Sequence, residues 1–264
     1  MATETAQASA MNRPVSAATH HRPWPRPASP WVMAQEWCNL LFAHWPLPAA
    51  ALQALLPPAL TLDTFEGQAW LGIVPFQMRG VRPRLTPSVP WLSAFPELNV
   101  RTYVRLRDRG LEKSGVYFFS LDAANPVAVR IARRTFHLPY FDAAMRAHYD
   151  GRTVHYASRR THRGAPAADL VAGYRPTGPR YRTQSGDLDH WLTERYCLYT
   201  VDQKGHPLIG EIHHAPWPLQ PATAEFLVNT MAGAAAIRLP DAAPLLHFAR
   251  RLEVIVWPLR LVEP

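Results

Sequence analysis

Lysine is nearly absent from this chain. Of 28 basic residues, two are lysines: Lys113 in Asp108-Arg-Gly-Leu-Glu-Lys-Ser-Gly115 and Lys204 in Asp202-Gln-Lys-Gly205. Both strings read as turns between strands, because Gly, Asp and Ser relieve the backbone where a chain reverses. A lysine becomes a nucleophile when burial or a cationic neighbour frees its amine near neutral pH, whereas one at a hydrated turn keeps its proton. Schiff-base chemistry is therefore not expected. Cysteine is equally scarce. Cys38 and Cys197 each sit in an apolar run, and two cysteines make no disulfide framework, so free buried thiols and, by default, a cytoplasmic location are expected. No apolar run approaches the ~18–20 residues that span a bilayer. Residues 1–31, rich in Ala, Thr, Ser and Pro with scattered Arg13, Arg22 and Arg26, lack the apolar stretch of a secretory signal. They are expected to form a disordered tail before a single domain over 32–264. Gly-x-Gly-x-x-Gly, a Walker loop, Gly-x-Ser-x-Gly and His-Glu-x-x-His are all missing, and no cofactor is expected.

What the chain does have is apolar bulk. With 264 residues, 48% hydrophobic and 11% aromatic, it is long enough for one large core. The formal charge is +8, and the stretch from Arg101 to Arg163 carries 13 Lys/Arg against 5 Asp/Glu. Such an excess recruits phosphates or acidic surfaces. Here the doublets Arg133-Arg134 and Arg159-Arg160 are isolated and no nucleic-acid motif accompanies them. Neither nucleic acid nor membrane is expected as a partner. An anionic small molecule is, and assembly into a homo-oligomer stays open.

Residues 36–45 read as a strand, 47–56 as a short helix ended by Pro57-Pro58, and 61–65 as extended. Residues 68–78 form a long apolar strand crossed by Gly72 and Pro75, where a bulge or bend is expected. The proline-rich stretch 80–96 is a loop long enough to act as a lid. Strands 97–106 and 116–122 make a hairpin, 127–137 is a strand or short helix, and 153–158 with 169–174 make a second hairpin. Ser185 is placed to cap a helix over 187–194. Residues 196–201 and 206–213 flank the Lys204 turn, 222–237 reads as helical, and 246–261 as a closing strand. Many strands with few helices between them favour a mainly β (α+β) fold, a curved antiparallel barrel.

Polar chemistry sits inside these apolar strands. Strand side chains alternate between faces, so Glu97, Asn99, Arg101 and Tyr103 share one face, and Leu98, Val100, Thr102 and Val104 the other. In an open sheet the polar face meets water; in a closed barrel it lines a cavity. The neighbouring strand 116–122 is aromatic on both faces, which favours the cavity. Arg101 on a covered strand needs a carboxylate, since an unpaired buried charge is costly. Glu97, Asp122 or an anionic ligand fits that role. Glu211 and His213 share a second strand face, with His214 at its end. Together with His44 or His247 they resemble a metal set, but strict ligand spacing is missing, so no metal is assigned.

The strings Leu40-Leu-Phe-Ala-His-Trp-Pro46, Leu62-Asp-Thr-Phe-Glu-Gly-Gln-Ala-Trp-Leu-Gly-Ile-Val-Pro-Phe76, Phe95-Pro-Glu-Leu-Asn-Val-Arg-Thr-Tyr-Val104, His137-Leu-Pro-Tyr-Phe141 and Gly210-Glu-Ile-His-His-Ala-Pro-Trp217 resemble the YqjF-like family. That family is placed in the acetoacetate decarboxylase-like superfamily. The resemblance runs from about residue 36 to the C-terminus and implies a cone-like closed β-barrel with an internal cavity and a few short helices. In the decarboxylases a Tyr-Pro-Lys-Lys string supplies the Schiff-base lysine; the similar position here is Leu138-Pro139-Tyr140-Phe141, without lysine. The expected protein holds a small carboxylate or carbonyl compound. Arg101 would anchor it, with Asn99, Asp122, Glu211 and His213 as further binding residues. Glu97 would move protons, and Tyr103 or Tyr140 would donate to an oxyanion. A binding module without turnover, or an interaction protein using the basic 101–163 surface, are the rival readings.

Overall fold

The computed structural model describes residues 18–89 and 91–263. Its elements are β1 (Met33–Leu47), α1 (Ala49–Gln53), β2 (Thr61–Leu62), β3 (Ala69–Pro83), β4 (Phe95–Asp108), β5 (Leu111–Ala123), α2 (Pro126–Thr135), β6 (Tyr140–Tyr149), β7 (Val154–Arg160), β8 (Asp169–Pro176), α3 (Leu188–Thr193), β9 (Cys197–Val201), β10 (Pro207–His214), β11 (Gln220–Asn229), β12 (Leu245–Val256) and β13 (Arg260–Leu261). Nine of the strands close into a barrel in the order β5-β6-β7-β8-β11-β12-β1-β3-β4, with β4 returning to β5. Closure leaves the barrel no free edges to manage.

Two strands fork. The end of β5 pairs with β6 at Leu121–Ala123 while its middle pairs with β9 at Val116 and Tyr117. Likewise β12 pairs with β11 at His247 and Phe248, and with β10 at Val254–Val256. The β9–β10 hairpin thus bridges the same two strands as β6–β7–β8–β11. The barrel is mixed: every pairing is antiparallel except β5–β6 and β5–β9. The exception at β6 follows from α2, a helical crossover that brings the chain back alongside Leu121 so that β6 sets off in the same direction as β5. Asn125 caps α2, its side chain accepting from the amides of Val127 and Ala128, and Pro126 opens the helix.

The largest core lies on the face of β1, β3 and β4 that carries Leu41, Ala43, Leu71, Ile73, Leu98, Val100 and Val104, joined by Tyr156 and Tyr174 from β7 and β8. Residues 222–237 are not one helix: 222–229 belong to β11, and a single 3-10 turn, Gly233–Ala235, follows. β11 alternates, with Ala222, Ala224 and Phe226 packed on this core and Thr223, Glu225 and Leu227 on the other face. The alanines of this stretch suggested a helix, but tertiary pairing with β8 overrides that propensity. Asp187 rather than Ser185 occupies the N-cap of α3. Within the stretch assigned to the tail, Arg22 and Trp24 are buried, and the Trp24 indole donates to Glu211 at 2.9 Å. The rest of that assignment, residues 1–17, lies outside the described residues. No helix among the described residues is long and apolar enough to cross a membrane.

Candidate active site

β4 positions the site. Its alternation sends Leu98, Val100 and Val104 into the main core, and leaves Glu97, Asn99 and Arg101 lining a cavity of about 280 Å³. The other walls come from β1 (Trp37, Leu40), β3 (Phe76, Met78), β5 (Phe118, Leu121), α2 and its C-cap (Ile131, Phe136), β10 (Ile212, His214) and Leu92 before β4. These walls are overwhelmingly apolar, so each polar group within them needs a reason.

Gly72 makes room for the charged end. It lies opposite His44 on β1 and Arg101 on β4, and an added Cβ would stand 3.2 Å from the His44 ring and 3.4 Å from Arg101 Cγ. The sequence suggests a bend at this glycine; its use is space for two side chains that meet over it.

Arg101 is 8% exposed, and its guanidinium has no carboxylate partner among the described residues. Its Nη2 donates to the Leu192 carbonyl at 3.3 Å and the Tyr103 hydroxyl at 3.4 Å, and the Arg101 Nε is unpartnered. The Phe42 ring lies beneath it at 5.3 Å. Both carboxylates expected to neutralise it are engaged elsewhere. Asp122 accepts two hydrogen bonds from Arg160, at 2.6 and 2.9 Å, away from the cavity. Glu97 accepts from the Tyr140 hydroxyl at 3.1 Å.

Glu97 lies two pleats away on the same face, and only 2% of it is exposed. Burial pushes its carboxyl up to about 8, with the Tyr140 hydrogen bond opposing. At neutral pH the cavity therefore holds a carboxylic acid at one end and an uncompensated guanidinium at the other. Tyr140, raised well above its ordinary value by burial and then by Glu97, keeps its proton.

Tyr103 is not a cavity residue. It is fully buried behind Arg101, its hydroxyl donating to Leu192 O at 3.0 Å and bonded to His44 Nε2 at 2.7 Å. With its proton on Leu192, that hydroxyl accepts from His44 and has none to give an oxyanion. His44 is held well below its ordinary value by burial and then by the Arg101 charge, so it stays neutral. Tyr103 and His44 thus orient Arg101.

Glu211 and His213 also lie outside the cavity lining. Glu211 belongs to a buried charge cluster in which Lys113 Nζ is 2.9 Å from Glu211 and 3.0 Å from Asp108, joined by Arg260 and Arg22. This corrects the reading of Lys113. The turn is made by Arg109 and Gly110, both at positive φ, and Lys113 is already inside β5 and 5% exposed. Lys204 is exposed at its turn as expected. Neither lysine lines the cavity. The His213 ring stacks near His21 at 5.6 Å, His247 pairs with Asp189 at 3.1 Å, and no group of three or more metal-ligating side chains forms among the described residues.

Sequence reasoning missed Arg195 and His214 as cavity residues. Arg195 is buried, paired with Asp63 at 2.6 Å and stacked over Trp191 and Tyr103. Its signal was an arginine directly ahead of the apolar string Tyr196-Cys-Leu-Tyr199. Cys197 also lines the cavity, but burial pushes its thiol up to about 12, which makes it a packing residue and not a nucleophile.

Comparison with known proteins agrees with this architecture. The family DUF2071, described as "Uncharacterized conserved protein", matches residues 34–253. The "Uncharacterized protein YqjF" of Bacillus subtilis (strain 168) is 46% identical over 230 residues, 87% of this chain and 92% of the relative. Among solved structures, acetoacetate decarboxylase from Legionella pneumophila superposes with a TM-score of 0.57 at 14% identity, covering 92% of this chain and 93% of that one. The enduracididine biosynthesis enzyme MppR complexed with pyruvate gives 0.56 at 12% identity, covering 95% and 96%. An acetoacetate decarboxylase-like enzyme from Sphingomonas wittichii RW1 gives 0.57 at 13%, covering 94% and 99%. At these identities the three structures establish the barrel and leave its chemistry to the residues. By its sequence match and its fold, the chain belongs to the DUF2071 family, with the YqjF protein as a relative, on an acetoacetate decarboxylase-like barrel.

Proposed function

We propose that the cavity binds a small organic carboxylate and acts on it by acid–base chemistry. The observation that carries this reading is Arg101, a buried guanidinium at the cavity wall without a carboxylate partner among the described residues. An uncompensated buried charge costs several kcal/mol, and a ligand carboxylate would relieve that cost through charge-assisted, oriented hydrogen bonds. Asn99, on the same face, offers its amide alongside. Glu97, protonated at neutral pH, then faces the far part of the ligand and can give a proton to a carbonyl or take one back. Tyr140 holds its Oε2 and so sets which oxygen does this. The absence of lysine from the lining argues for proton transfer without a covalent intermediate.

The basic-surface alternative has less support. Within 101–163, Arg101, Lys113 and Arg160 are buried, and Arg105, Arg109 and Arg130 pair with Glu112, Glu263 and Asp142.

Calorimetric titration of a panel of small carboxylates against the wild type, Arg101→Lys and Arg101→Leu tests the anchor, with thermal melts in parallel. Arg101→Lys keeps the charge and loses the planar fork, so binding should weaken at least tenfold, and Arg101→Leu should bind none. Equal affinity of Arg101→Lys and wild type for every carboxylate would remove Arg101 from the site. Turnover of a bound carboxylate, lost in Glu97→Gln with binding retained, separates an enzyme from a binding module.

A further inference from the structure

We infer that the ligand is an elongated monocarboxylate with an apolar, ring-sized body and a hydrogen-bond-accepting oxygen at its far end, rather than a short keto acid. This rests on Arg101 as the anchor proposed above, and it follows from where the polar groups stand along β4. Glu97 and Arg101 lie on one face four residues apart, which in a strand separates their Cα atoms by about 13 Å. The Arg101 guanidinium leans further away, since its Nη2 donates towards Leu192 and Tyr103, the next residue of that face. The anion site and the acid are thus at opposite ends of the cavity. The carboxylate and ketone of a four-carbon keto acid lie roughly 3–4 Å apart by bond lengths, so such a ligand cannot reach both.

What lies between decides the body. Asn99 stands between Glu97 and Arg101 on the same face of β4, and around it Trp37, Phe76, Phe118 and Trp217 wall the cavity, so an apolar ligand surface is favoured over most of that length by roughly 25 cal/mol per Å² removed from water. A volume of about 280 Å³ is at the small end for ligand sites, and suits one ring with a short chain. A second carboxylate at the far end would meet Glu97 and apolar walls. The other cavity-lining guanidinium, Arg195, is already paired with Asp63, so a dianion would bury an unpaired charge.

The test titrates the full chain with four probes: acetoacetate, 3-phenylpropanoate, 3-(4-hydroxyphenyl)propanoate and its 4-carboxy analogue, a dianion. In the wild type the hydroxyphenyl acid should bind at least tenfold tighter than 3-phenylpropanoate, and 3-phenylpropanoate tighter than acetoacetate or the dianion. Glu97→Leu should erase the advantage of the hydroxyl while keeping that of the ring; Arg101→Leu should lose all four. Circular dichroism checks that both variants are folded. If acetoacetate binds as tightly as the aryl acids and Arg101→Leu still abolishes binding, the anchor stands and the elongated ligand is wrong. If the aryl acids bind Arg101→Leu undiminished, or no carboxylate binds the wild type, the anchor itself fails and this inference with it.

Discussion

The Tyr140 hydroxyl donates to Glu97 Oε2 across 3.1 Å, between the start of β6 and the polar face of β4. The hydrogen bond lowers a carboxyl that burial has pushed up to about 8 from an ordinary 4.5. Folding therefore retains a proton that the unfolded chain sheds above its own value. The stability from this group is fully present below pH 4.5 and is lost as pH rises through 8, a loss on the order of 5 kcal/mol. Glu97→Gln has no such proton. Melts of both proteins from pH 5 to 9 should show the wild type losing ground to the variant as pH rises. Parallel curves would mean that Glu97 titrates like an ordinary carboxylate. Tyr140→Phe should shift the wild-type decline to still higher pH.

The two lysines should behave in opposite ways. Lys113 Nζ is held between Asp108 and Glu211 at 3.0 and 2.9 Å, so Lys113→Met leaves two buried carboxylates short of a cation and should cost about 3–5 kcal/mol in chemical denaturation. Lys204 is exposed, and Lys204→Ala should stay within about 0.5 kcal/mol. Comparable effects at both positions would contradict the buried cluster.

Neither lysine borders the cavity, so borohydride reduction in the presence of acetoacetate should trap no covalent adduct. Peptide mass spectrometry showing a reduced adduct on Lys113 or Lys204 would overturn this, and would require the Lys113 ion pairs to open during turnover.

Gly115 sits where β5 meets β9, and a Cβ there would stand 2.7 Å from both the Cys197 carbonyl oxygen and its Sγ. Backbone cannot yield as a flexible side chain does. Gly115→Ala should therefore cost about 1–3 kcal/mol by overpacking. Gly72→Ala, with contacts of 3.2 and 3.4 Å to the side chains of His44 and Arg101, should cost less but disturb carboxylate binding more. Denaturation and titration of both variants would expose a reversed ranking.

Alternation along β4 was legible because its two rows differ so sharply in chemistry: leucine and valine on one side, Glu97, Asn99 and Arg101 on the other. The hairpin with β5 followed from the same period. Position in three dimensions was not legible. Nothing local to Arg160 announces that it takes both oxygens of Asp122, and nothing near Glu211 shows that Trp24 and Lys113 reach it from remote segments. Lys113 was misplaced because Gly110 and Gly115 both look like turn glycines, whereas Gly115 has an ordinary φ and is there for close approach to β9. Tyr103 shares a face with the cavity residues yet lies past the cavity's end, which alternation alone cannot reveal.

Arg101 gives the sharpest separation between a structural and a functional role. A sequence-level pairing with Glu97 or Asp122 predicts that removing the guanidinium strands a buried carboxylate, at about 3–5 kcal/mol. Among the described residues no carboxylate depends on it: Asp122 has Arg160, and Glu97 has Tyr140 and its own proton. Arg101→Met keeps most of the side-chain volume and removes a buried charge that no carboxylate among the described residues compensates. The lost hydrogen bonds are modest, since Leu192 O still accepts from Tyr103 and the Tyr103 hydroxyl is still bonded to His44. The ligand-free variant should therefore match or exceed the wild type in thermal stability, to within about 1 kcal/mol, while losing carboxylate binding. In the presence of a saturating carboxylate the order should reverse, because only the wild type gains stability by binding. Melts with and without 3-phenylpropanoate measure both halves. A large destabilisation of ligand-free Arg101→Met would make Arg101 a structural residue and leave the cavity without its anchor.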